Sequence, residues 1–216
     1  MGLKIILADD HKIMREGLRN LLEKHNMEII AEAGNGREAV KLTKEFSPDM
    51  VVMDTIMPDM NGIEATRQIM SQNPKVKVIA LSMHSDRQFV IEMLKAGAMG
   101  YMLKDCAFEE LVYAINSVAN NQIYLSPKIT TIVLKEYVHG SEKDKSSVFS
   151  VLSNREREVL QLISEGKSTK NIAHHLDVSI KTIETHRQQI MNKLRIHSIA
   201  ELTKYAVREG LTPLET

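Results

Sequence analysis

Ile5-Ile6-Leu7-Ala8-Asp9-Asp10 decides how the first half of the chain is read. Four apolar residues run together and stop at an acidic pair, and an amphipathic stretch, 13–22, follows. A continuous apolar run suits a strand buried on both faces, and such strands belong to parallel sheets with helices on either side. The pattern then repeats. Residues 27–33 are strand-like, 37–45 helical, 50–53 a buried run and 63–70 helical. Next come a strand at 76–81, a helix at 89–96, a short strand at 101–103 and a helix at 109–119. The expected fold is α/β: a doubly wound, five-stranded parallel sheet. Open sheets of this kind collect ligands at the carboxyl ends of their strands, so the strand ends are where chemistry is expected.

The alternation stops near Leu125. One more helix is expected over 129–137. The Gly, Ser, Lys and Asp content of 139–150 then reads as a flexible linker. After it, only helices are expected. Ser153 with Glu156 forms a capping box ahead of Val159, Leu160, Leu162 and Ile163, and Gly166 closes that helix. Ser168 is placed to cap a short helix over 169–176. Ser179 is placed to cap a longer one through Leu194, and Ser198 with Glu201 reads as a second capping box. The expected division is 1–124, a connecting segment 125–150 with a helix in it, and an all-α domain over 151–216.

Composition excludes several classes. Of 216 residues, 43% are hydrophobic and 26% charged, which fits a folded core rather than a disordered chain. Cys106 is the only cysteine, so an internal disulfide is excluded. No apolar stretch approaches the ~20 residues of a membrane helix, and the N-terminus lacks a signal-peptide pattern. A cytoplasmic protein with no membrane partner is expected. Residues 1–125 hold 14 Lys and Arg against 17 Asp and Glu, whereas 151–211 hold 10 against 7. The front is mildly acidic and the back mildly basic.

Asp9 and Asp10 follow the first strand and Asp54 follows the third. These strands are neighbours in a doubly wound sheet, so three carboxylates converge. A hard, oxygen-loving cation such as Mg²⁺ relieves their repulsion, and a carboxylate beside it can act as a nucleophile toward phosphorus. Ser82 after the fourth strand offers a hydroxyl, and Lys104 after the fifth an ammonium; together they suit the oxygens of a transferring phosphoryl group. Met57-Pro58 and Gly62 shape the loop after Asp54.

With Asp9-Asp10, Asp54, Met57 to Gly62, Leu81-Ser82 and Gly100 to Lys104, residues 3–120 resemble a receiver domain of two-component signalling, a flavodoxin-like fold. The resemblance implies that Asp54 accepts a phosphoryl group from a sensor histidine kinase. It implies that Asp10 and Asp54 bind Mg²⁺ with Asp9 close by, and that the backbone carbonyl of Ile56 is a further ligand. It also implies that Ser82 and Lys104 contact the phosphoryl oxygens, and that Tyr101 is an aromatic switch turning inward when Ser82 moves. Two positions depart from the family. Asp105 stands where Pro commonly follows the lysine, which leaves the isomer of that peptide bond open. Thr55 stands where an aliphatic residue is common, either to make a hydrogen bond or to pack.

Residues 152–211 resemble the LuxR-type helix-turn-helix of the NarL/FixJ group. The residues that carry this are 152–160, Gly166, Ile172-Ala173, Leu176, Val178-Ser179, 181–186, Ile190 and Lys193-Leu194. Leu160, Ile172, Ala173, Leu176, Val178, Ile183 and Ile190 are the expected core. The second helix turns Lys181, Thr182, Glu184, Thr185, Arg187 and Gln188 outward, as a helix entering a major groove requires. Lys181, Thr182 and Arg187 suit phosphates, and Glu184 and Gln188 suit base edges. The last helix offers Leu202, Tyr205 and Ala206, either to a dimer contact, as the resemblance implies, or to the core. His174, His175 and His186 lack zinc-site spacing to any cysteine.

The function expected is a DNA-binding transcription regulator rather than an enzyme. Phosphorylation of Asp54 promotes its homodimerisation and its binding to double-stranded promoter DNA. A regulator without the switch, and an aspartyl phosphotransferase of the haloacid-dehalogenase kind, are the competing readings. The intact acidic pocket speaks against the first. The position of the nucleophile after the third strand, rather than the first, speaks against the second.

Overall fold

The computed structural model describes residues 2–105, 108–139 and 148–212, with the side chains of 108 and 136–139 outside that description. The chain divides into two compact units, Met1–Gly140 and Ser141–Thr216.

The first unit alternates strand and helix: β1 (Leu3–Ala8), α1 (Lys12–Lys24), β2 (Met27–Ala33), α2 (Gly36–Phe46), β3 (Met50–Met53), α3 (Gly62–Gln72), β4 (Lys77–Ser82), α4 (Arg87–Lys95), β5 (Gly100–Leu103), α5 (Phe108–Ala119), β6 (Tyr124–Leu125) and α6 (Pro127–His139). The strands pair in parallel in the order β2-β1-β3-β4-β5-β6. The sheet is the expected doubly wound one, with a two-residue sixth strand added at its edge. Every residue of β3 and β5 is buried, which is why these segments carry no polar alternation. One core cluster gathers Ile5 and Leu7 of β1, Leu18 and Leu22 of α1, Val52, Ile79 and Met102 of the central strands, and Leu111, Ile115 and Val118 of α5.

Two helices begin beside the carboxyl ends of the strands on asparagine caps. Asn35 accepts from Glu38 N–H at 2.8 Å, and Glu38 in turn accepts from Gly34 N–H. Asn61 accepts from Glu64 N–H at 2.9 Å and starts α3 directly after the Asp54 loop. Gly62 sits where no side chain fits, since a Cβ there would lie 1.8 Å from the carbonyl oxygen of Asp54. Gly62→Ala is therefore expected to push α3 off the loop and to destabilise the first unit by about 1–3 kcal/mol. Urea unfolding followed by circular dichroism measures this, and an unchanged midpoint would show that the loop yields without cost.

The connecting region differs from its expectation. The helix begins at Pro127, two residues earlier than expected, and packs on α4 and β6 within the first unit. Of the segment read as a flexible linker, His139 ends α6 and Val148–Val151 forms a short helix, α7. Residues 140–147, like Cys106, lie outside the described residues.

The second unit is helical among the described residues: α7, then α8 (Asn154–Ser164), α9 (Thr169–His175), α10 (Ile180–Leu194) and α11 (Ile199–Arg208). Ser153 and Glu156 form the expected capping box. Glu156 does more than cap. Its Oε2 also takes Lys193 Nζ of α10 at 2.7 Å. Arg155 donates to the Leu176 carbonyl at 2.8 Å and so ties α8 to the end of α9. Gly166, at φ +77°, turns the chain out of α8. Ser168 and Ser179 cap their helices as expected. Ser198 precedes α11 but makes no side-chain cap bond, so the second capping box does not form. The backbone there, φ −116° and ψ 134°, differs from the φ −66° and ψ 163° at Ser153. All seven expected core residues belong to the cluster at the centre of this unit; Val178 is only partly buried. Leu202 and Ala206 join them fully buried, with Tyr205 packed against the cluster. The apolar side of α11 is thus used within its own unit.

Among the described residues, no helix is long and apolar enough to cross a membrane.

Candidate functional site

Strand ends β1, β3, β4 and β5 bring Asp9, Asp10, Asp54, Ser82 and Lys104 to one edge of the sheet. Asp54 N–H donates to the Ala8 carbonyl at 2.7 Å, which locks the two acidic strand ends together. Lys104 Nζ lies between Asp9 Oδ2 and Asp54 Oδ2, 2.6 Å from each. Asp9 is itself held. Its Oδ1 accepts from His11 N–H at 2.9 Å, and its carbonyl accepts from Arg15, which is anchored on Glu32 of β2.

Burial dominates the electrostatics. It pushes the Asp54 carboxyl up to about 6; the Lys104 charge opposes this and the Asp9 charge adds to it. Burial works against the charge on Lys104, but Asp54 and Asp9 outweigh it and hold its pKa above the usual lysine value. The arrangement is a buried anion pair shared by one cation, with negative charge left over.

One ligand atom from each of Asp9, Asp10, His11 and Asp54 lies within 4.8 Å of the others. Asp10 Oδ1 is buried and makes no hydrogen bond, although His11 Nδ1 stands 2.8 Å away. A buried carboxylate oxygen facing the His11 imidazole, beside two more carboxylates, fits a hard divalent cation. Ile56, whose carbonyl was the other expected ligand, sits at the half-buried start of the loop and donates its N–H to Asp54 Oδ1 at 3.3 Å. His11 was not foreseen; its place next to the acidic pair is the signal that points to it.

Ser82 and Tyr101 are fully buried. Ser82 Oγ lies 2.6 Å from Thr55 Oγ1 and accepts from His84 N–H at 3.0 Å. Tyr101 is already inward, and its hydroxyl donates to the His84 carbonyl at 2.8 Å. Burial pushes this phenol up to about 12. Thr55 thus makes a hydrogen bond and does not merely pack. The backbone of His84 links Ser82 to Tyr101, and its ring stacks on Phe89 with centroids 5.3 Å apart. The Lys104–Asp105 peptide is trans.

In the second unit, α9 and α10 are joined by a tight turn with Asp177 at φ +51°. Ile183, Ile190 and Met191 face the core. Lys181, Glu184, Thr185, Arg187 and Gln188 are exposed. Thr182 is half-buried, with its hydroxyl 2.8 Å from Ser179 Oγ, so it serves the helix start. Thr185 donates to the Lys181 carbonyl at 2.9 Å. Gln188 donates to Asn192 Oδ1 at 3.1 Å. Lys181, Thr185, Gln188 and Asn192 form one stripe at i, i+4, i+7 and i+11. Asn192 was not foreseen, although its spacing from Gln188 could have found it.

Residues 5–116 match the response regulator receiver domain, and residues 150–206 match the bacterial regulatory proteins of the luxR family. The chain belongs to the response regulators. Oxygen regulatory protein NreC of Staphylococcus epidermidis is 39% identical over 215 residues, covering 97% of this chain and 99% of that protein. A LuxR-family response regulator from Aurantimonas is 37% identical, with a TM-score of 0.61, covering 64% of this chain and 99% of the other. The response regulator RcsB, solved in complex with DNA, is 25% identical with a TM-score of 0.59, covering 95% of this chain and 98% of the other. This response regulator is thus a DNA-binding transcription regulator of a two-component system, and not an enzyme.

Proposed function

We propose that Asp54 is the phosphoacceptor, that its phosphorylation by a sensor histidine kinase drives homodimerisation, and that the α10 face then reads promoter DNA in the cytoplasm. The observation that carries this is Lys104 bridging Asp54 and Asp9 at 2.6 Å beside a buried Asp10 oxygen in the same carboxylate cluster. An Asp54 oxygen attacks the phosphorus of a phosphohistidine. The O–P bond forms as the P–N bond breaks, and the imidazole leaves with the electron pair and takes up a proton. Asp10 and Asp54, with Asp9 and the Ile56 carbonyl, would hold Mg²⁺, which when bound neutralises charge on the transferring group. Lys104 then turns from bridging carboxylates to neutralising a phosphoryl oxygen, and the Ser82 hydroxyl donates to another. Tyr101 carries the change to the surface of β5 and α4. We assign the receiver to 1–124, the connector to 125–150 and the DNA-binding domain to 151–216. The connector is shared: α6 packs with the first unit and α7 packs on α8 in the second.

On DNA, Lys181 and Arg187 suit phosphates, whereas Gln188, Glu184 and Thr185 suit base edges. Asn192 extends that surface, and Thr182 contributes by fixing the start of the helix. The exposed side of α11, with Ile199 at 41% exposure, is left for the second copy. Acetyl phosphate with Mg²⁺ tests the acceptor by mass spectrometry. One phosphoryl group is expected on the wild type and none on Asp54→Asn. Equal labelling of both would place the acceptor elsewhere.

A further inference from the structure

Thr55 directly follows Asp54, and its hydroxyl is buried against a second buried hydroxyl, that of Ser82. Ser82 has one proton and two lone pairs. His84 N–H fills one lone pair. The 2.6 Å contact to Thr55 Oγ1 engages either the proton or the other lone pair. With Thr55 as the donor both lone pairs are filled and the Ser82 proton is left for a phosphoryl oxygen. From Ser82 the chain of bonds runs on through the backbone of His84 to the Tyr101 hydroxyl, which lies inward with its ring fully buried. The Tyr101 hydroxyl also interacts directly with the Ser82 and Thr55 side chains, so an aliphatic side chain at 55 would leave Ser82 with His84 N–H and Tyr101 until a phosphoryl group arrived.

We infer that Thr55 is a positioning residue of the switch: its hydroxyl orients that of Ser82 toward the place of the phosphoryl oxygen, and it holds the Ser82–His84–Tyr101 chain in the inward arrangement before phosphorylation. This rests on the roles proposed above for Asp54, Ser82 and Tyr101. Its consequence is a receiver already set for its phosphoryl group, with part of the activating rearrangement in place beforehand. A binding-competent state populated in advance raises apparent affinity for whatever selects it.

The test uses the full chain and beryllofluoride with Mg²⁺ as the phosphoryl mimic. The ring signal of labelled Tyr101 is followed by NMR alongside. Thr55→Val removes the hydroxyl and keeps the shape; Thr55→Ser keeps the hydroxyl. Thr55→Val is expected to bind beryllofluoride about 3- to 10-fold more weakly, the worth of one such bond. Its Tyr101 signal should move toward that of an exposed ring before the mimic is added and return on saturation. Thr55→Ser should match the wild type in both respects. Equal or tighter binding by Thr55→Val, with an unmoved Tyr101 signal, would overturn the inference while leaving the receiver assignment intact. Failure of the wild type itself to bind the mimic more tightly than Asp54→Asn would remove the assignment and this inference with it. Should Thr55→Val fail to fold, Tyr101→Phe removes the other end of the chain. It should weaken the mimic comparably, and unchanged binding would equally overturn the inference.

Discussion

Replacing Asp54 by Asn is expected to abolish phosphodonor-driven activation. Asn has the same size and keeps an oxygen, but its amide cannot form the acyl phosphate. Lys104 retains Asp9 as an ion-pair partner at 2.6 Å, so the pocket keeps its cation. Removing a buried carboxylate that burial already pushes up to about 6 also relieves the fold of a costly charge. The variant is therefore expected to be folded and at least as stable as the wild type. It should show none of the gain in DNA affinity that acetyl phosphate gives the wild type, a gain of about 5- to 150-fold for a coupling of ordinary size. DNA-binding titrations with and without the phosphodonor measure it directly. A gain that survives in Asp54→Asn would mean that the donor acts elsewhere on the chain.

The second large effect lies on α10, where two substitutions should fail in different ways. Lys181→Ala removes an exposed cation at the first turn of the helix. Affinity should fall for every DNA sequence by a similar factor, and the slope of log affinity against log salt should drop by about 1 per site. Gln188→Ala removes an uncharged side chain in the middle of the stripe, already oriented by Asn192 at 3.1 Å. It should cost about 1–3 kcal/mol on the preferred site, relax discrimination at one base pair per half-site, and leave the salt slope unchanged. Binding measured on a matched and a mismatched duplex over a range of salt separates the two. A uniform loss from Gln188→Ala would make it a backbone contact and shift base reading to Thr185, Glu184 or Asn192.

Most of the fold was legible because apolar runs and helix caps are local signals. The runs 5–8, 50–53 and 101–103 marked strands, and the residues just beyond them marked the pocket, because parallel strand ends share an edge. What stayed hidden needed three dimensions. The Thr55–Ser82 bond joins residues 27 apart through the β3–β4 register, and the Glu156–Lys193 pair spans 37 residues. Neither leaves a local trace. Ser198 and Glu201 carry the capping-box spacing, but spacing does not set the serine rotamer, and the box is absent. The alternatives for Leu202 and Ala206 were equal in sequence because an apolar helix face does not say what covers it; their own core does. The early start of α6 was legible in principle. Ser126-Pro127 is a cap residue followed by proline at the first helical position. The two-residue β6 is too short to show any period.

Phosphorylation at Asp54 is proposed to control reading of DNA by α10. Selection from random DNA duplexes, run with protein treated or untreated with phosphodonor and with Asp54→Asn in parallel, tests it most directly. The expected result is a two-fold symmetric pair of half-sites, about 10–10.5 base pairs apart or a multiple of that, enriched strongly only by the phosphorylated wild type. Equal enrichment of the same sites by all three proteins would contradict the account.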